Sequence, residues 1–196
     1  MINSTIQHTF FPFGSYLAQF DVDPEFCKKL LREGRKLKVP YNTRLAGKIE
    51  HEKLFDLEKL WIKEGFSPYV NSYLQGYGHF SNIKFNNKWE ITSMWINIQK
   101  ANEFNPIHLH TNCNISFVLW LKIPSKILKE KTVSLSSPPG WTTFIHGEEH
   151  LLCVTDRTFG PVENRMMMFN SKLRHEVTPF NTKVERISIA GNIKFL

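Results

Sequence analysis

The feature that most restricts this chain is a change of hydrophobic period near residue 89. Upstream, apolar residues recur at helical intervals; downstream, they alternate. Met94, Ile96 and Ile98 share one face of an expected strand, and Trp95, Asn97 and Gln99 share the other. Residues 115–123 are apolar on both faces, as in a strand buried on two sides, and Pro124 closes them. Further short strands are expected around Trp141 to Ile145, Leu151 to Thr155 and Met166 to Phe169, divided by Ser-Pro-Pro-Gly and Phe-Gly-Pro turns. The last, Arg186 to Phe195, sets Ile187, Ile189 and Ile193 against Arg186, Ser188 and Asn192. Helices first and strands afterwards predict a mainly β chain with N-terminal helices (α+β), a β-sandwich or barrel with helical buttressing. Residues 1–196 read as a single domain, with 1–88 as helical support and edge strands and 89–196 as the β core.

Within the first part, the Phe-rich residues 1–20 are expected to form short edge strands around a turn at Pro12 and Gly14. Asp23 before Pro24 has the pattern of an N-cap and first-turn proline. Phe26, Leu30, Leu31 and Leu37 continue it as an amphipathic helix to Lys38. After Pro40 a polar connection runs to Glu52 and holds Leu45-Ala46-Gly47. A second helical region spans Phe55 to Leu74, and Gly65 and Pro68 predict that it splits into two helices. Gly76 to Lys88 reads as a loop or solvent-facing hairpin.

Composition narrows the function classes. No apolar run approaches the roughly 18 to 20 residues a membrane helix needs, and no basic start precedes an apolar block, so a soluble, cytoplasmic protein is expected. Cys27, Cys113 and Cys153 are odd in number and lack a CxxC pair, which argues for reduced, structural thiols. The net charge of +7 would suit an acidic partner. Its clusters, Lys28 to Lys38 and Lys122 to Lys131, match solvated faces better than a nucleic-acid surface. Met166, Met167 and Met168 suit flexible core packing rather than metal binding.

The chemistry concentrates at His108-Leu109-His110. On a strand the two imidazoles face one side, an arrangement that invites a metal, and His175 lies in a second strand-like context. His8, His51, His79, His146 and His150 lack such partners and read as ordinary surface or core residues. Imidazole ligates Fe, Zn, Ni and Cu alike, so spacing alone leaves the metal open.

Four stretches in order resemble the 2-oxoglutarate and Fe(II)-dependent oxygenases, in particular the prolyl-hydroxylase-like branch of bacteria and marine phages. They are Trp95-Ile-Asn-Ile-Gln, Asn105-Pro-Ile-His-Leu-His110, Ser116 to Pro124, and His175-Glu-Val-Thr-Pro-Phe followed by Glu185 to Asn192. Leu45-Ala46-Gly47 also looks like a feature of that group. The resemblance implies a double-stranded β-helix (a jelly-roll, cupin-like core), with Fe(II), 2-oxoglutarate and O2 as cosubstrate. A soluble location follows, the host cytoplasm if phage-encoded. It places His108 and His175 on metal ligands, and Arg186 with Ser188 on the carboxylate anchor of 2-oxoglutarate, a role suited to a guanidinium fork. Asn97 joins that anchor, and Trp95, Gln99 and Trp120 are expected to line the substrate pocket.

Position 110 departs from the pattern, since the family has Asp or Glu there and this chain has His110. Three imidazoles could hold the iron. Alternatively, His110 stands behind the metal while water, Glu103, Asn112 or Asn114 takes the third place, or another ion binds without turnover. The first is favoured. The functional expectation is a dioxygenase hydroxylating a peptidyl residue or a small molecule. The alternative is a cupin-like metal-binding or nucleic-acid-binding module without 2-oxoglutarate turnover, and a three-histidine dioxygenase without cosubstrate fits the Arg186/Ser188 pair less well.

Overall fold

A computed structural model describes residues 8–85, 88–132, 137–151 and 153–196. A hairpin of β1 (His8–Phe13) and β2 (Ser15–Asp21) turns at Gly14, whose φ of 78° is the left-handed conformation glycine adopts freely. Helix α1 (Pro24–Lys36) starts as expected: the Asp23 carboxylate accepts from the Glu25 and Phe26 amides, and Pro24 occupies the first turn. A 3-10 turn at Asn42–Arg44 and β3 (His51–Leu54) lead into α2 (Leu60–Ser81). The remaining elements are β4 (Trp89–Gln99), β5 (Asn105–His108), β6 (Ile115–Lys122), a short α3 (Ser125–Leu128) and β7 (Thr142–Ile145). They are followed by β8 (Asp156–Phe159), β9 (Arg165–Asn170), β10 (Arg174–Val177) and β11 (Arg186–Phe195).

Three local expectations are corrected. Helix α2 is one helix that runs through Gly65 and Pro68 and on to Ser81, where a break and a loop were expected. An internal proline costs about 3 kcal/mol through its missing N–H. Phe66, Tyr69, Val70, Tyr73 and Leu74 are buried around it, and that packing outweighs the loss. Gly65 serves packing, because a Cβ there would stand 2.2 Å from the Phe26 ring. The strand expected at Leu151 to Thr155 lies instead at Asp156–Phe159, where β7 supplies its pairing, while Leu151 and Val154 are exposed. The first seven residues, and Leu152 within the expected strand, lie outside the described residues.

The strands form two antiparallel sheets, one ordered β1-β2-β9-β6-β11-β4-β3 and the other β5-β10-β7-β8. From β4 onward the chain passes back and forth between them, the connectivity of a jelly-roll. Alternation then sorts side chains into two layers. Ile96, Phe117, Leu119, Met166, Met168, Ile187 and Ile189 point to the outer face of the large sheet and pack with Leu30, Ile62 and Phe66 of the helices. Trp120, Met167 and Phe169 point inward and meet Phe144 and Leu173 from the side of the small sheet. This inner cluster fills only part of the space between the sheets. The rest is a cavity of about 370 Å³.

Candidate functional site

Register builds one wall of the cavity. On β11, Arg186, Ser188, Ala190 and Asn192 face it, and β4 sets Gln99, Asn97, Trp95 and Ser93 directly opposite them. Directly paired residues share a face, so these rungs project polar groups from strands whose other face is apolar. The facing wall comes from the small sheet, where His108 on β5 pairs with His175 on β10, and His110 follows on the same chain.

The three imidazoles converge. One ring nitrogen of each lies within 4.8 Å of the others, the one such group of metal-binding side chains among the described residues. Hydrogen bonds determine which nitrogens are free. His108 Nδ1 donates to the Pro106 carbonyl (2.7 Å) and His175 Nδ1 to the Leu173 carbonyl (2.9 Å). His110 Nδ1 donates to Asn192 Oδ1 (2.6 Å). That amide is itself oriented, since Ser116 donates to Oδ1 and Nδ2 donates to Ser93. Each Nδ1 therefore carries the proton, and each Nε2 keeps its lone pair. Burial holds all three rings below the usual histidine range, His110 at about 4, so they are neutral near pH 7. Three neutral, oriented imidazoles fit a transition-metal cation. Phe169 meets His175 and His110 edge-on, and Trp95 stacks on His110 at 5.8 Å, which keeps apolar surface around the donors.

Arg186 lies one rung from Ser188. Its residue is 2% exposed, Nη1 donates to Gln99 Oε1 (3.2 Å), and Nε and Nη2 have no partner. Burial pulls the guanidinium down to about 10, which leaves it cationic at neutral pH. A buried cation with two unmet donors fits an anionic ligand. Thr142 Oγ1, also buried and without a partner, lies on the same cavity. Sequence reasoning missed Thr142 because a threonine in a short strand carries no signal of its own.

The other sequence-predicted residues divide. Asn97 lines the cavity, accepting from Trp95 Nε1 (3.1 Å) and donating to Ser188 Oγ (3.5 Å). Gln99 stands behind Arg186 rather than on the cavity wall, with its Nε2 bonded to the Glu103 carbonyl. Trp120 faces inward but packs with Met167 and Phe144 in the filled part of the inter-sheet space, away from the cavity lining. Glu103 is occupied by the Glu50 and Lys100 amides, and Asn114 Oδ1 by the Phe195 amide, so neither stands with the imidazoles. Sequence reasoning also passed over Glu52, which is buried on the cavity. Along α1, Lys28, Arg32, Arg35 and Lys36 each pair with a glutamate, which partly neutralises that basic face. No described helix is long and apolar enough to cross a membrane.

The fold has solved counterparts. A prolyl-4-hydroxylase from Pseudomonas putida is 14% identical, with 92% of each chain covered and a TM-score of 0.58. The viral collagen prolyl hydroxylase of Paramecium bursaria Chlorella virus-1, solved with 2-oxoglutarate, is 13% identical over 93% of this chain and 98% of its own, with a TM-score of 0.62. HygX from Streptomyces hygroscopicus, solved with nickel, 2-oxoglutarate and hygromycin B, is 9% identical over 92% of this chain and 83% of its own, with a TM-score of 0.56. No curated protein matches by sequence. The profile of the family described as "Putative 2OG-Fe(II) oxygenase" matches residues 93–192, which span the imidazoles, Arg186 and Asn192. That match covers just over half of the chain and favours an enzyme over a binding module, and the chain belongs to the 2OG-Fe(II) oxygenase family.

Proposed function

We propose that His108, His110 and His175 hold Fe(II), and that Arg186 and Ser188 anchor the far carboxylate of 2-oxoglutarate, in a dioxygenase that hydroxylates a peptidyl residue or a small molecule. Iron and 2-oxoglutarate supply the oxidising chemistry, in which O2 converts the cosubstrate to succinate and CO2 while a substrate C–H gains a hydroxyl. The chain's own residues supply orientation and exclusion of water. Pro106, Leu173 and Asn192 fix the rings through Nδ1, so that Nε2 of each is presented. The Arg186 fork is held on one side by Gln99 and presents Nε and Nη2. Asn97 steadies Ser188 beside it.

The observation that carries the reading is the buried Arg186 with two unmet donors facing the same cavity as three neutral imidazoles. The solved relatives that bind 2-oxoglutarate support the choice of anion, and HygX with hygromycin B, together with a Trichoplax adhaerens prolyl hydroxylase solved with a peptide fragment, supports either substrate class. Anaerobic addition of Fe(II) and then 2-oxoglutarate should produce a visible charge-transfer absorption, and admission of O2 should yield succinate. Metal-loaded protein that neither binds 2-oxoglutarate nor forms succinate would overturn this function.

A further inference from the structure

Glu52 is a buried acid for which the proposed chemistry has no use. It sits on β3, the edge strand of the large sheet, and pairs with Asn97, which pairs in turn with Ser188. The three form one rung, so Glu52 faces the same cavity as the cosubstrate anchor, two strands away or roughly 10 Å. The residue is 2% exposed, and its Oε2 has no hydrogen-bond partner. No ion pair reaches it among the described residues. Lys100 is occupied by His51 and Glu50, and Lys48 lies over the Phe104 ring.

The loop above Glu52 is built tightly around it. Tyr41 donates its amide to the Glu52 carbonyl and packs on Trp95, and the loop continues over the cavity through Leu45, Ala46 and Ile49. Gly47 leaves no room for a side chain, since a Cβ would lie 2.0 Å from Asn105 Oδ1 and 3.6 Å from Glu52 Oε1. A purely structural acid in such a place would be bonded to its surroundings, because an unmet buried carboxyl destabilises the fold. Burial, followed by the charge of Glu103, raises its pKa to about 8, as expected for a carboxyl without a counter-charge.

We propose that Glu52 is the substrate-recognition acid of this cavity, receiving an ammonium or guanidinium group and so selecting basic substrates. This rests on the oxygenase reading. The nitrogen can belong to a lysyl or arginyl side chain in a peptide or to a free small amine. Either places its carbon chain along the rung, between Glu52 and the cosubstrate anchor.

The test uses the full chain loaded with 2-oxoglutarate and with Mn(II) in place of Fe(II), so that no turnover consumes the probes. Calorimetric titrations at pH 9, above the Glu52 pKa and with both basic probes still charged, compare capped Gly-Lys-Gly with capped Gly-norleucine-Gly, and n-pentylamine with n-pentanol. At least one basic probe should bind the wild type about tenfold or more tightly than its neutral counterpart, the scale of a hydrogen bond to a charged group. The tighter of the two basic probes identifies the peptidyl or free source. Glu52→Gln should abolish the preference, and Glu52→Asp should retain a weaker one, with cooperative thermal unfolding showing that each variant is folded. Equal binding of basic and neutral probes by the wild type, or a preference that survives in Glu52→Gln, would overturn the assignment. The 2-oxoglutarate titration that precedes the probes keeps the outcomes apart. Its failure sinks the oxygenase reading, whereas its success without a basic preference sinks the role of Glu52 alone.

Discussion

The two faces of the seven-stranded sheet are made by the same strands and obey opposite rules. On the helix side, Ile187, Ile189 and Ile193 of β11 join Phe66, Phe117 and Leu30, nearly all fully buried and apolar. On the cavity side, the same ten residues present Arg186, Ser188 and Asn192, and β3 adds Glu52. The outer face gains from everything it buries. The inner face leaves Arg186 Nε and Nη2 and Glu52 Oε2 unmet, each at a cost of about 1–3 kcal/mol. The difference teaches that one face supplies the stability with which the other is kept ready for ligands.

The comparison can be tested most sharply at Glu52. Folding raises its pKa from the usual 4.5 to about 8, first through burial and then through the charge of Glu103. Between those values the folded state keeps a proton that the unfolded chain has released, so stability is complete below about pH 4.5 and falls as pH rises through 8. A shift of 3.5 units (8 − 4.5) corresponds to roughly 5 kcal/mol. Glu52→Gln should therefore be the more stable protein at pH 9 by up to that amount, and should match the wild type at pH 4 in urea unfolding. An offset independent of pH would mean that Glu52 is not the cause.

Next in size is a contrast between neighbours on β11. Ile189→Ala removes a buried side chain from the outer face and should cost about 3 kcal/mol of stability, measured by urea unfolding, with 2-oxoglutarate affinity nearly kept. Arg186→Ala should do the reverse: stability unchanged or higher, and 2-oxoglutarate bound on the order of 100-fold more weakly by calorimetry, since a charge-assisted anchor is lost. Matching profiles from the two variants would erase the distinction between the faces. The smallest effect belongs to Asn192→Ala, which frees the His110 ring without removing it. Metal affinity should fall about tenfold, the scale seen when a ligand loses its orienting partner. An affinity equal to wild type would mean that His110 does not hold the ion.

Much of this was legible in the residues themselves. Asp23-Pro24 announced α1, the period-two pattern of β11 announced both of its faces, and the three methionines of β9 fill core as expected, divided between the two layers. His108, His110 and His175 could be grouped on paper, but the strand expected to carry both His108 and His110 ends at His108, and His110 reaches the site from the segment beyond it, where its amide donates to the Ser171 carbonyl. What failed depended on tertiary packing. Pro68 and Gly65 carry local signals for a break, and packing of α2 against the sheet and against Phe26 of α1 overrides them. Trp120 had the right face, but its ring packs with Met167 and Phe144 instead of lining the cavity, a difference the strand pattern does not carry. Glu52 in a polar stretch looks like any exposed acid until β3 is laid against β4 and the loop closes above it.

The position of β11 also makes the large sheet depend on a single strand. It lies between β6 and β4, two strands that precede it in the chain by more than fifty residues, and it is the only described link between them within the large sheet. Without it, β4 with β3 would form one fragment and β6 with β9 and β2 another, each with an unpaired edge. Such long-range pairing makes for slow folding. The proposed anchor residues Arg186 and Ser188 lie on that strand, so the cavity cannot take up a carboxylate through them before the sheet has closed, and competence for binding becomes a report that the sheet is complete.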